Sequence, residues 1–183
     1  MGIQIFGKNI FQIYTHHIMS LLYADLAGNA ERTELSLEAI DLQRIPEELA
    51  SVGTTVTTAN LERLVKKNGS LCEGFVLKEK GRPIGTIWVM HKGGDDLEYR
   101  IRNIGAYIFD VYVNGKFRGK GYAGQMIRLL MEHLHQDGID QAYLAVSVKN
   151  ISAIRAYEKA GFVKTGNKRF ARFLKVNIPY HIL

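Results

Sequence analysis

Residues 118–124 read Arg118-Gly119-Lys120-Gly121-Tyr122-Ala123-Gly124. They stand between the apolar run Ala106-Tyr107-Ile108-Phe109-Asp110-Val111-Tyr112-Val113 and a segment, 121–136, that carries Met126, Ile127, Leu130, Met131 and Leu134 on one helical stripe. Glycines at a helix start let the backbone approach a ligand closely and turn its N–H groups inward, and the helix end adds roughly half a positive charge. A turn of this kind is a cradle for a pyrophosphate, and Arg118 and Lys120 would add charge beside the amides. Two other glycine-rich turns are excluded. A triphosphate loop ends in Lys-Ser or Lys-Thr, which the segment 115–121 lacks. The dinucleotide fingerprint fits 119–124 in its glycines, but the following strand, 142–148, carries no Asp or Glu for a ribose. A helix-start turn without a ligand is the plain alternative.

Working outward, residues 142–148 predict a strand, 150–160 a helix, and 162–178 two strand-like runs parted near Gly166. Upstream, 71–90 predicts a hairpin turning at Glu79-Lys80-Gly81-Arg82. A helix follows Thr57-Thr58, with Leu61, Leu64 and Val65 inward, and closes at Asn68-Gly69. A short helical segment spans 46–49, and Leu35, Leu37 and Ala39 alternate as a first strand. Residues 1–33 read as an N-terminal extension and 34–183 as one domain. Strands followed by strand, helix, strand, helix, strand give an α/β fold with a mixed sheet.

The pattern R-x-x-G-x-A at Arg118, Gly121 and Ala123, just after Val111-Tyr112-Val113, resembles the acetyl-CoA signature of the GCN5-related N-acetyltransferases, the GNAT superfamily. The stretch from Asn150 through Ala153, Tyr157, Lys159 and Gly161-Phe162 is similar to that family's second hallmark, N-x-x-A-x-x-x-Y-x-K-x-G-F. The resemblance covers roughly residues 34–178. It implies a mixed, mostly antiparallel sheet with flanking helices, splayed after the long strand to form an acetyl-CoA cleft. The cofactor-binding positions it implies are Val111, Tyr112, Val113, Arg118, Gly119, Lys120, Gly121, Tyr122, Ala123, Gly124, Asn150 and Ala153. Acetyl-CoA is then a cosubstrate, and the activity an N-acetyl transfer to an amine in a ternary complex.

A backbone N–H near Val111 or Tyr112 would meet the charge that develops on the thioester oxygen. Tyr157 matches the family tyrosine that protonates or hydrogen-bonds the departing thiolate; an aromatic core residue is the alternative. Asn150 serves equally as a helix N-cap. An alkylammonium near pKa ~10 must lose its proton before attack, so a base or water relay is expected. Asp110, Glu98 and His91 are the candidates, and Asp110 is preferred because it lies beside the cofactor-binding run. Strict alternation sets Asp110 on the face opposite Val111 and Val113, which only a bulge would change.

The net charge of +6 among 183 residues favours anionic partners without choosing one. The acceptor expected is a small-molecule amine, including an amino sugar of surface-polysaccharide synthesis, with protein or peptide acetylation and a non-catalytic acyl-CoA-binding module as the alternatives. No nucleic-acid partner is expected: the basic run Lys164, Lys168, Arg169, Arg172 and Lys175 with Phe170 and Phe173 is explained by its place in the last strands. No metal is expected, since His16-His17 are adjacent and point to opposite faces of a strand. The lone Cys72 and the weak signal-peptide character of residues 18–24 suggest a cytoplasmic protein without a membrane span. A homodimer is compatible with this reading.

Overall fold

The computed structural model describes residues 2–5, 8–26, 34–54, 58–94, 105–173 and 176–179, with side chains for 15–26, 34–54, 59–94 and 105–169. Its described strands are β1 (Gly2–Ile5), β2 (Lys8–Leu22), β3 (Leu35–Ala39), β4 (Cys72–Glu79), β5 (Arg82–Met90), β6 (Ala106–Val113), β7 (Gln141–Ser147), β8 (Val163–Phe173) and β9 (Val176–Pro179). The helices are α1 (Ile45–Val52), α2 (Thr58–Asn68), α3 (Tyr122–Gln136) and α4 (Ile151–Lys159).

All nine strands join one sheet in the order β3-β4-β5-β6-β7-β2-β8-β9, with β1 on the end of β2. Only β6 and β7 run parallel, and they pair over just three residues, Ala106–Ile108 against Ala142–Leu144. Beyond that point the two strands have no described pairing, so the sheet is splayed as expected. The β4–β5 hairpin turns through Lys80 at φ 52° and Gly81 at φ 76°, the two left-handed residues that a tight hairpin requires.

Two apolar clusters cover the two faces. The larger is centred on α3, whose Met126, Ile127, Leu130, Met131 and Leu134 are fully buried against Ile87, Ile108 and Leu144. Burying such a side chain is worth about 1.5–3 kcal/mol, so this stripe anchors the helix to the sheet. On the other face α1 and α2 pack Leu49, Val52 and Leu61 over Trp88, Met90 and Tyr107. Gly74 makes that packing fit, because a Cβ there would lie 2.7 Å from the Trp88 ring.

Two expectations change. The break near Gly166 does not occur: β8 runs unbroken from Val163 to Phe173, with Ile18 opposite Gly166 and Met19 opposite Lys164. Thr165 is the extra residue of a bulge, an irregularity that the neighbouring glycine tolerates in place of a turn. The segment read as an extension supplies β1 and β2, and β2 is an interior strand that pairs with β7 along one edge and β8 along the other. Its Met19 and Leu21 are buried in the α3 cluster.

The start of the parallel contact is tightly constrained. Gly105 has φ 79°, and a Cβ added there would lie 2.0 Å from the Gln141 carbonyl oxygen. Gly105→Ala should therefore destabilise the protein by about 2–4 kcal/mol, combining left-handed strain with an overpacking clash. Gly138→Ala is the control, with φ 77° but nothing within 4 Å of the added Cβ; it should cost only the strain, about 1–2 kcal/mol. Urea unfolding of both variants checks this, and equal losses would show that the Gln141 contact does not matter.

Candidate active site

A cleft of about 710 Å³ opens where β6 leaves β7, between the start of α3 and the flank of α4. Its walls include Val111, Tyr112, Val113, Arg118, Gly119, Gly121, Tyr122, Ala123, Gly124, Asn150, Ala153 and Tyr157. Of the cofactor-binding positions predicted from sequence, it therefore brings together every one but Lys120. The Lys120 ammonium stands instead 5.8 Å over the Phe117 ring, outside the lining.

Sequence alone explains how the turn is formed. Gly119 and Gly121 adopt φ 77° and 82°, a left-handed conformation that side chains resist, and Gly121 is the N-cap of α3. A Cβ at either position would meet nothing within 4 Å, so both residues face open space. Arg118 is held in place: its Nε–H donates to the Val113 carbonyl at 2.9 Å and its guanidinium lies 5.7 Å over the Tyr112 ring. Tyr122 turns its ring into the core, with its hydroxyl donating to the Glu79 carboxylate.

The strand end is tied to α1. The Tyr112 hydroxyl donates to the Gly53 carbonyl at 3.0 Å, and Asn114 Nδ2 donates to the Val52 carbonyl at 2.8 Å. Across the cleft, Asn150 caps α4 by accepting from the Ala153 N–H at 3.2 Å and the Ser152 hydroxyl at 3.1 Å. The capping role is thus satisfied by Oδ1 while the residue still lines the cleft.

Asp110 sits on the bulge that the sequence could only pose as a condition. Trp88 is opposite Phe109 and Thr86 opposite Tyr112, so the single residue Ile87 faces two, Asp110 and Val111. Asp110 takes φ 48°, a conformation that Asp tolerates better than most side chains. It does not line the cleft, and its Oδ2 is buried without a hydrogen-bond partner among the described residues. Burial pushes its carboxyl above the usual range. Tyr157, whose ring is tilted by 57° to that of Phe162 at 5.9 Å, is pushed up to about 12, first by burial and then by the negative charge of Asp110. The two groups are thus close enough to feel each other.

The other bases stand apart. His91 does not line the cleft, and its Nε2 pairs with Glu73 at 3.1 Å. Glu98 lies outside the described residues. His16 and His17 fall on opposite faces of β2, where His17 Nδ1 meets Asn167 Oδ1 at 2.8 Å. Sequence reasoning missed Phe117, Ser152, Arg155, Ala156 and Lys159 on the cleft wall. The α4 residues could have been found from helical phase, since three to seven residues separate Ser152, Arg155 and Lys159 on the helix that carries Tyr157.

A family model described as the acetyltransferase (GNAT) family matches residues 41–162. The mouse protein "Probable N-acetyltransferase family 8 member 5" is 23% identical over 98% of this chain and 70% of its own length. The "Mycothiol acetyltransferase" of Corynebacterium efficiens is 34% identical over 43% of this chain and 24% of its own. A GCN5-related N-acetyltransferase from Sphaerobacter thermophilus shares the fold, with a TM-score of 0.63 at 15% identity over 93% of this chain and 55% of that one.

Asp110 supplies a test independent of any substrate. A carboxyl whose folded pKa is raised contributes stability below its unfolded value, near ~3.9, and that contribution is lost as pH rises through the folded value. Asp110→Asn keeps the shape and the tolerance of positive φ but carries no charge. It should melt higher than wild type at pH 7, with the gap closing below pH ~4. Melting curves across pH 3–8 check this; a variant less stable than wild type at pH 7 would mean that the carboxylate has a stabilising partner.

Proposed function

Because the chain belongs to the GNAT acetyltransferase family, we propose that it transfers an acetyl group from acetyl-CoA to a small-molecule amine within this cleft. The observation that carries the reading is the pair of left-handed glycines, Gly119 and Gly121, at the N-cap of α3, facing a cleft whose opposite wall holds Tyr157. The amides of 119–124 would hold the diphosphate of the coenzyme, with the field of a 15-residue helix behind them. The Val113 carbonyl is engaged by Arg118, which leaves the main chain of Val111 and the Val113 N–H to pair with the pantetheine arm.

Acetyl-CoA supplies an electrophilic thioester carbonyl and a thiolate leaving group. The amine nitrogen bonds to the carbonyl carbon as the carbon–sulfur bond breaks, and the Val111 N–H stabilises the charge on the oxygen. The amine proton passes to Asp110, through water because Asp110 does not line the cleft; its raised pKa makes it a better acceptor than an ordinary carboxylate. Tyr157 has a pKa of about 12, well above that of a thiol near ~8.5, so full proton transfer to the sulfur would run uphill. Tyr157 therefore acts as a hydrogen-bond donor to the thiolate, and solvent protonates it later. Net charge +6 suits an acceptor that carries an anion, such as an amino sugar linked to a nucleotide.

Gly121→Val tests the cradle. An added Cβ meets nothing within 4 Å, so the fold should survive at a cost of about 1–2 kcal/mol for left-handed strain. Acetyl-CoA affinity measured by calorimetry should fall sharply; wild-type affinity in the folded variant overturns the assignment. Tyr157→Phe tests the sulfur contact. kcat should drop about 10²-fold to 10³-fold, the cost of one donor to a developing anion, with KM for acetyl-CoA nearly unchanged. The shape of the pH profile should be preserved, because a group titrating near 12 contributes no limb at working pH. A kcat within about threefold of wild type, far below the cost of losing such a donor, returns Tyr157 to a packing role.

A further inference from the structure

Three neighbouring strands, β7, β2 and β8, contain no Asp or Glu, while β2 and β8 carry Lys8, Lys164, Lys168, Arg169 and Arg172. Register sets which polar groups meet there. His16 is opposite Ser147 of β7 on one edge and opposite Lys168 of β8 on the other. Directly opposed residues of antiparallel strands share a face, with Cβ atoms about 5 Å apart. A hydroxyl, an imidazole and an ammonium therefore form a row across three strands, and all three side chains are half-buried. The Ser147 Oγ accepts from the Lys149 N–H at 3.3 Å, so its O–H is a donor, as the Lys168 ammonium is.

The row lies on the face of the sheet away from α3 and α4. Met19 and Leu21 of β2 and Ala142, Leu144 and Val146 of β7 are buried in the α3 cluster, so alternation points His16 and Ser147 the other way. That face is open at this end of the sheet, since Leu22 and Val163, which share it, are 46% and 61% exposed. α3 and α4 flank the cleft on the first face, so an amine reaches the thioester from the second, through the gap where β6 parts from β7. The gap is continuous with both sides: Tyr112 lines the cleft and also packs against the apolar cluster of the second face. His16 is two strand spacings from β6, about 10 Å, which leaves room for a sugar ring between the gap and the row.

We infer that His16, Lys168 and Ser147 bind a phosphate on the acceptor, and so select an amine that is joined to a phosphate across about one sugar ring. The inference rests on the acetyl-transfer reading of the cleft. It places recognition of the acceptor on strands that contribute no residue to the cleft wall. β2 and β8, which supply His16 and Lys168, also lie outside the segment 41–162 that the family model matches. The coenzyme is then held by β6, α3 and α4, and the acceptor by β7, β2 and β8. An acid-free surface suits a phosphate because each contact to the anion is charge-assisted and no carboxylate nearby opposes it.

The test titrates glucosamine 6-phosphate and glucosamine, which differ only in the phosphate, into protein saturated with coenzyme A, so that the phosphate cannot occupy the cradle at 119–124. Wild type should bind the phosphorylated sugar about tenfold tighter, as expected for hydrogen bonds to a charged group, and the preference should shrink at high ionic strength. Lys168→Gln and His16→Phe should each weaken the preference, the double variant should abolish it, and Lys168→Arg should keep it. Coenzyme A affinity should be unchanged in all four. Thermal melts establish that the variants are folded, and the contrast of Lys168→Arg with Lys168→Gln decides the matter if His16→Phe does not fold. Equal affinity for the two sugars, or binding of neither, overturns the inference, and so does an undiminished preference in Lys168→Gln. Loss of coenzyme A affinity in the folded variants also overturns it, because the row would then serve the coenzyme. A wild type that does not bind coenzyme A overturns the acetyl-transfer reading itself.

Discussion

The constraint on which the rest depends is the brevity of the parallel contact. β6 and β7 hold each other over three residue pairs and then separate. A parallel ladder leaves every backbone group beyond its end in search of a partner. On the β6 side, one of these groups, the Val113 carbonyl, is met by Arg118; others face the cleft. The bulge at Asp110 and Val111 bends the strand at the same place. Gly105 lets the two strands begin close together, and the bond from Asn114 to Val52 holds the far end of β6 against α1. The opening is therefore bounded by contacts at both ends and does not depend on a ligand for its shape.

What the cleft asks of its residues conflicts with what stability asks. Asp110 holds a backbone angle that most side chains avoid and leaves a carboxylate oxygen buried without a partner among the described residues. Either feature alone is a liability in an ordinary strand. Desolvation raises the proton affinity of the carboxyl, and the charge of Asp110 adds to the effect of burial in raising that of Tyr157. Burial of both groups, and their closeness, thus set the acid–base character of the pair.

Much of this was legible from the residues. The α3 stripe, the hairpin turn at Lys80-Gly81 and the glycine turn at 119–124 are local signals, where a few neighbouring residues dictate the backbone. The bulge was legible only as a condition, because alternation in β6 is interrupted by a pairing with β5 that sequence does not display. Gly166 was misleading for the same reason: a glycine beside a bulge and a glycine in a turn look alike until the partner strand is known. The place of β2 was the least legible, since its partners lie more than a hundred residues away in the chain.

That placement bears on how the chain acquires its shape during synthesis. His16 pairs with Ser147, and Ile18 pairs with Gly166 on its other edge. β2 thus waits, with Met19 and Leu21 uncovered, until the residues of β7 and β8 have been made. Such distant pairings slow folding, because a long loop must close before any contact rewards it. Over that interval the part of β2 beyond its hairpin with β1 has no partner strand, the kind of segment that aggregates or recruits a chaperone. Its place between β7 and β8 is what joins β8 and β9 to the rest of the sheet.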